Sequence, residues 1–188
     1  MPSLNIAFDA RTPSELVAFV RTHIAPLSSE KQSRIHIKVN DLLAEVGLTG
    51  LKDLAEKILT ETGVDIVWMI DGKWSDIPNT VANYVKRLDG LNVAYYTVHT
   101  SGGPEMIRAA KKAAPDIKLL AITVLTSLQE SEVREIYGEN RENTILRLAY
   151  SALSAGADGL VCSPADAPML RAVFGEYFLL VTPNITTE

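Results

Sequence analysis

Apolar positions along the chain follow two alternating rhythms. Short apolar or alternating runs, at Leu4 to Phe8, Arg34 to Val39, Val64 to Lys73, Asn92 to His99 and Ile117 to Leu125, read as strands, and Arg34 to Val39 is rich in β-branched residues. Gly159 to Cys162 and Phe178 to Val181 add two more. Between them, apolar residues recur every three or four positions, which predicts helices. The first opens at Thr12-Pro13-Ser14-Glu15, a cap side chain, a proline suited to the first helical turn and an early acid, and runs through Leu16, Val17, Phe19, Val20 and Ile24. Others cover Leu42 to Leu59, interrupted around Gly47 to Gly50, then Ile77 to Leu88, Met106 to Ala114, Glu130 to Tyr137, Asn143 to Ala155 and Ala165 to Val173. Seven strands alternating with helices, without hairpin signals, predict parallel βαβ units. Periodicity leaves an open sheet and a barrel equally acceptable, because both bury their strands on two faces.

Polar residues interrupt this pattern at the carboxyl ends of the predicted strands: Asp9, Lys38, Asp71 with Lys73, His99, and Ser127 just beyond the fifth. Ligands of α/β proteins bind at that edge. The densest stretch is Asp71-Gly72-Lys73-Trp74-Ser75-Asp76-Ile77-Pro78-Asn79-Thr80, which reads as strand end, loop and helix start. Strand alternation puts Asp71 and Lys73 on the same side, with Gly72 leaving the other side empty. An alternating array of lysines and aspartates keeps every member ionised and suits a substrate that carries negative charge and develops more. A surface ion-pair cluster with a helix cap fits the same residues, and Lys38 alone could simply snorkel to solvent. His99 reads as a satisfied strand-end histidine, Cys162 as a small buried hydrophobe, and Thr12 and Ser14 as caps.

Composition narrows the classes. A length of 188 residues suits one β/α domain spanning the whole chain. The net charge of −5 is interspersed, and no basic cluster exists to follow a nucleic-acid backbone. The single cysteine precludes an internal disulfide, and neither a signal-like leader nor a membrane-length apolar run occurs, so a cytoplasmic protein is expected. Neither glycine-rich phosphate fingerprint is present, which disfavours dinucleotide binding. No histidine pair at helical spacing and no Cys/His cluster exists, and lysines beside the carboxylates already supply positive charge, so a metal-free site is expected.

Asp71-x-Lys73-x-x-Asp76-Ile77-Pro78-Asn79-Thr80 resembles the signature of orotidine 5′-phosphate decarboxylases. Phe8-Asp9, Lys38-Val39, Thr97 to Gly103, Thr123 to Ser127, Val161 to Pro164 and Val181-Thr182-Pro183 resemble the same family in the same order. The resemblance implies a TIM (β/α)8-type barrel working as a homodimer without metal or organic cofactor, on orotidine 5′-phosphate. It implies Lys38, Asp71, Lys73 and Asp76 as the catalytic charge array, with Asp76 and Thr80 reaching the partner's site. Asp9 would bind ribose hydroxyls, Ser127 the pyrimidine, and Pro183 would begin a phosphate-gripping loop.

Gly72 and Trp74 depart from the family pattern, as do Asn184 and Thr186, which stand where a glycine and an arginine are usual. The chain ends at Glu188, where that pattern continues through the phosphate loop to an eighth strand. The expectation is therefore a chain that keeps the charge array but lacks the eighth strand and the phosphate grip, and binds the nucleotide poorly. Two other readings stand beside this one: a metal-dependent sugar-phosphate lyase of the same suprafamily, and a truncated non-catalytic fragment that binds a nucleotide or a partner.

Overall fold

The computed structural model describes residues 3–9 and 11–183. The strands are β1 (Leu4–Ala7), β2 (Ile35–Val39), β3 (Val67–Trp74), β4 (Val93–His99), β5 (Lys118–Ile122), β6 (Gly159–Val161) and β7 (Leu179–Val181). Between them lie α1 (Pro13–Phe19), α2 (Ser29–Gln32), α3 (Asp41–Thr62), α4 (Pro78–Lys86), α5 (Pro104–Ala113), α6 (Glu130–Tyr137), α7 (Arg141–Ser154) and α8 (Ala167–Phe174). Strand order in the sheet is chain order, and β1–β2, β2–β3, β5–β6 and β6–β7 are parallel pairs. Every predicted strand and helix is present. The sequence pattern misses α2, since four residues with no buried side chain carry no apolar period.

The chain divides into two compact units, residues 1–72 with 87–96 and residues 73–86 with 97–188. In the first, the register Asn5↔His36↔Val67 aligns three strands. Period two then puts Asn5, Ala7, His36, Lys38, Met69 and Asp71 on one face, and Ile37, Val39, Trp68 and Ile70 on the other. Those last four residues are buried, as are Leu16, Val20, Leu42, Leu51 and Ile58 of the neighbouring helical segments. The expected capping box is formed: Thr12 Oγ1 accepts from Glu15 N at 3.3 Å, and Thr12 N donates to Glu15 Oε2 at 2.7 Å. The Thr12 N–H and the Thr12 hydroxyl, which donates to Glu15 Oε2 at 2.8 Å, hold the Glu15 carboxyl below its ordinary pKa. α1 leads into a π turn over Val20–Ile24. The interruption expected in the next helix is a kink at Gly47, whose φ of 66° and ψ of 178° suit glycine and few other residues, and helix continues beyond it.

In the second unit α4 lies against α5. Their buried residues are Val81 and Val85 on one, and Met106, Ile107 and Ala110 on the other. β5 stops three residues short of the predicted Leu125, because its partner β6 is three residues long and the last matched pair is Ile122↔Val161. At the opposite end of these strands, Asp158 accepts hydrogen bonds from Lys111 Nζ at 2.7 Å, Leu119 N at 2.8 Å and Lys118 Nζ at 3.2 Å. Burial pushes its pKa up, but these donors outweigh burial and hold the carboxyl below its ordinary value.

Gly159, next to Asp158, sits where two backbones come close. A Cβ there would lie 2.6 Å from the Leu179 carbonyl oxygen and 2.9 Å from Leu120 Cδ2. The carbonyl belongs to the paired strand and cannot swing aside as a side chain would. Gly159→Ala should lower the unfolding free energy by about 1–3 kcal/mol, the usual range for overpacking. A urea titration measures this, and an unchanged midpoint would contradict the close approach.

Candidate active site

In the first unit, β1, β2 and β3 deliver three charges to one place. The Lys38 ammonium donates to Asp9 Oδ2 at 2.9 Å and Oδ1 at 3.2 Å, and lies 3.5 Å from Asp71 Oδ2. Their environments differ: the Asp9 side chain is 44% exposed and that of Asp71 9%. A carboxylate as enclosed as Asp71 is costly to keep ionised unless a cation and hydrogen bonds compensate it, and Lys38 supplies that cation. Ion pairing therefore places Lys38 toward the carboxylates and leaves it only 20% exposed, against the alternative of a lysine snorkelling freely into water.

Asn40 completes this arrangement. Its side-chain Nδ2 donates to the Asp71 backbone carbonyl at 2.7 Å, one residue beyond the Val39↔Ile70 match that ends the β2–β3 register. A side chain thus takes over where the strand ladder stops. Sequence reasoning passed over Asn40, whose only signal is an amide directly after a strand.

Beneath Lys38 on the same face of β2 lies His36, 6% exposed. Its Nδ1 is 3.0 Å from Asn5 Oδ1, and its ring meets Tyr95 edge-on at 5.0 Å between centroids. Burial pushes the His36 pKa down, so the ring is neutral at pH 7 and pairs with Asn5 as a neutral donor.

The second unit holds the remaining candidates. Lys73, half-buried near the end of β3, has a φ of 47°, a left-handed conformation that costs an L residue about 1–2 kcal/mol. Its backbone N–H donates to Thr97 Oγ1 at 2.9 Å. The simple alternation that put Asp71 and Lys73 on one side assumes extended backbone throughout, and Lys73 departs from it. Asp76 is exposed in the following turn, where Oδ1 accepts from Ile77 N at 2.7 Å. Thr80 is half-buried on α4, Ser127 is exposed in the turn after β5, and Pro183 is half-buried after β7. Asn184 and Thr186 lie outside the described residues. Cys162 is 1% exposed, and its thiol is pushed up to about 11, first by burial and then by the Asp166 carboxylate, so it stays protonated at neutral pH.

A sequence model of the family described as "Orotidine 5'-phosphate decarboxylase / HUMPS family" matches residues 2–188. The chain belongs to this family. A Thermobifida fusca protein named orotidine 5′-phosphate decarboxylase is 45% identical over 118 residues, 62% of this chain and 50% of that protein. The chain thus spans about half the length of this curated relative. A protein of the same name from Idiomarina loihiensis is 34% identical over 191 residues, 98% of this chain and 77% of the relative. Among solved structures, orotidine 5′-phosphate decarboxylase from Lactobacillus acidophilus superposes with a TM-score of 0.80 at 30% identity, covering 99% of this chain and 82% of the other. The Thermotoga maritima enzyme of that name, at 20% identity and a TM-score of 0.66, shares the fold. The fold class is therefore the TIM-barrel type of the orotidine 5′-phosphate decarboxylase / HUMPS family. Among the described residues, no helix is long and apolar enough to cross a membrane.

The depressed pKa of His36 makes stability depend on pH. The unfolded chain takes up a proton near the ordinary histidine value and the buried ring resists it, so the stabilisation is complete above that value and is lost as pH falls through it toward the lower folded pKa. The urea midpoint should fall from pH 7.5 to 5.5, and His36→Gln should flatten that decline. An equal slope in the variant would contradict the buried neutral ring.

Proposed function

We propose that this chain decarboxylates orotidine 5′-phosphate to uridine 5′-phosphate, in pyrimidine synthesis and in the cytoplasm, through the charges of Lys38, Asp71, Lys73 and Asp76. The observation that carries the reading is the Lys38 ammonium held between Asp9 and the enclosed carboxylate of Asp71. Support also comes from membership of the family and from the name its curated relatives share.

In this reaction the bond between C6 and the substrate carboxylate breaks, its electron pair stays on C6, and CO₂ leaves. The ring cannot delocalise that pair, so the barrier is electrostatic. Positive charge fixed beside C6 before the reaction lowers it, because no reorganisation is needed as the anion forms. Lys73 is the group proposed to supply this charge and then to pass its Nζ proton to C6, after which water reprotonates the amine. Asp71 next to the departing carboxylate would make the bound substrate less comfortable than the transition state, and Lys38 is proposed to hold the Asp71 carboxyl in position for that role. Asp9 is proposed to meet the ribose hydroxyls, Ser127 the pyrimidine and Pro183 the edge of the phosphate site. Asp76 and Thr80 are proposed to reach the active site of a second copy in a homodimer. Binding of the remote phosphate contributes by holding the reacting end in place.

The family description also names the HUMPS branch, which favours a metal-dependent sugar-phosphate lyase as second reading. Lysine charges call on no divalent cation, so the two readings part over a chelator. Ultraviolet loss of orotidine 5′-phosphate should proceed unchanged in EDTA, and Lys73→Ala should reduce kcat/KM by at least about 10³-fold, as loss of a general acid and a preorganised charge implies. Activity abolished by EDTA, or undiminished in the variant, would overturn the assignment.

A further inference from the structure

We propose that Thr97 is a positioning residue for Lys73: its hydroxyl holds the Lys73 backbone in the left-handed conformation from which the ammonium is presented. This inference rests on the decarboxylase reading and deepens it.

A lysine near a strand end has no intrinsic reason to leave the extended region. Left-handed backbone at a residue bearing a Cβ persists only where its surroundings impose it, and such residues gather at functional sites. At Lys73 the φ is 47°. A regular parallel strand would give this N–H to a neighbouring backbone carbonyl. Here the acceptor is a side chain, Thr97 Oγ1, at 2.9 Å. Thr97 is fully buried in β4 between Tyr96 and Val98, themselves fully buried. A β-branched residue so enclosed has little rotamer freedom, and its hydroxyl is a fixed point. The lysine side chain is only half-buried and the residue two positions on is exposed, so packing around Lys73 is lighter than around its anchor.

Removing the hydroxyl while keeping the branched shape leaves the Lys73 N–H without this acceptor. The residue is then free to relax to the extended region, a change of φ that swings its Cα–Cβ bond and carries the ammonium with it. Thr97 itself meets no substrate in this account and acts through Lys73. Serine at this position retains the acceptor, and valine does not.

Steady-state decarboxylation by the full chain and its Thr97→Ser and Thr97→Val variants, with amide hydrogen exchange at Lys73, tests the assignment. Displacement of a reacting group by about 1 Å costs about 100-fold, so Thr97→Val should lose about 30–100-fold in kcat with KM within about threefold, and Thr97→Ser should stay within about threefold of the parent chain. The Lys73 amide should be protected in the parent and in Thr97→Ser, and exchange freely in Thr97→Val. The proposal is overturned if Thr97→Val keeps its kcat, if serine fails as badly as valine, or if the parent's Lys73 amide is unprotected. Thr97→Ala replaces the valine variant if that one does not fold, under the same criteria. A parent chain that turns over no orotidine 5′-phosphate would refute the decarboxylase reading instead. Lys73 amide exchange needs no turnover and still decides whether Thr97 holds the backbone.

Discussion

The first unit depends on enclosing a carboxyl group in a place that water barely reaches. Lys38 stands 3.5 Å from the Asp71 carboxyl, and Asn40 ties down the backbone beside it. Each partner comes from the strand next door, and each arrives at its carboxyl end, so parallel pairing is what brings them together. Parallel βα units put those ends on one edge as a matter of topology, whatever the side chains are. The chemistry then needs only a few polar substitutions in strands that are otherwise apolar.

Much of this was legible in the residues. The strand and helix series followed from periodicity, since a buried face must repeat every two residues in a strand and every three or four in a helix. The Thr12 capping box and the Gly47 kink were readable because cap and glycine preferences are local. Lys38 and Asp71 stood out as charges at the ends of apolar runs. Other features depended on partners distant in sequence. β5 is cut short by the brevity of β6, which nothing within Ile117 to Leu125 reveals. His36 looked like one more residue of an alternating strand, and its neutrality comes from burial beside Asn5 and Tyr95. Lys73 read as ordinary strand, although its left-handed backbone meets a hydroxyl 24 residues along the chain.

The family places limits on how these charges are best understood. A buried ion pair is a poor source of stability, because desolvation offsets most of the Coulombic gain. Its value in an enzyme lies elsewhere: charges already fixed need not reorganise when an anion forms. The same logic applies to strain at Lys73, where a conformation costly to the fold is kept near the chemistry it is proposed to serve. Elsewhere the molecule obeys the ordinary rules. Asp158 is surrounded by donors, and Cys162 is buried as an inert thiol.

The central claim is that fixed lysine and aspartate charges stabilise a carbanion at C6 of the pyrimidine ring. Microscopic reversibility requires the same site to form that carbanion from the product, by removing the C6 proton of uridine 5′-phosphate with the neutral amine of Lys73. Incubating the chain with uridine 5′-phosphate in deuterium oxide and following the C6 hydrogen by proton NMR measures this directly. The account predicts deuterium incorporation at C6 and not at C5, lost in Lys73→Ala. No incorporation by the parent chain at saturating nucleotide, or equal incorporation by the variant, would contradict it.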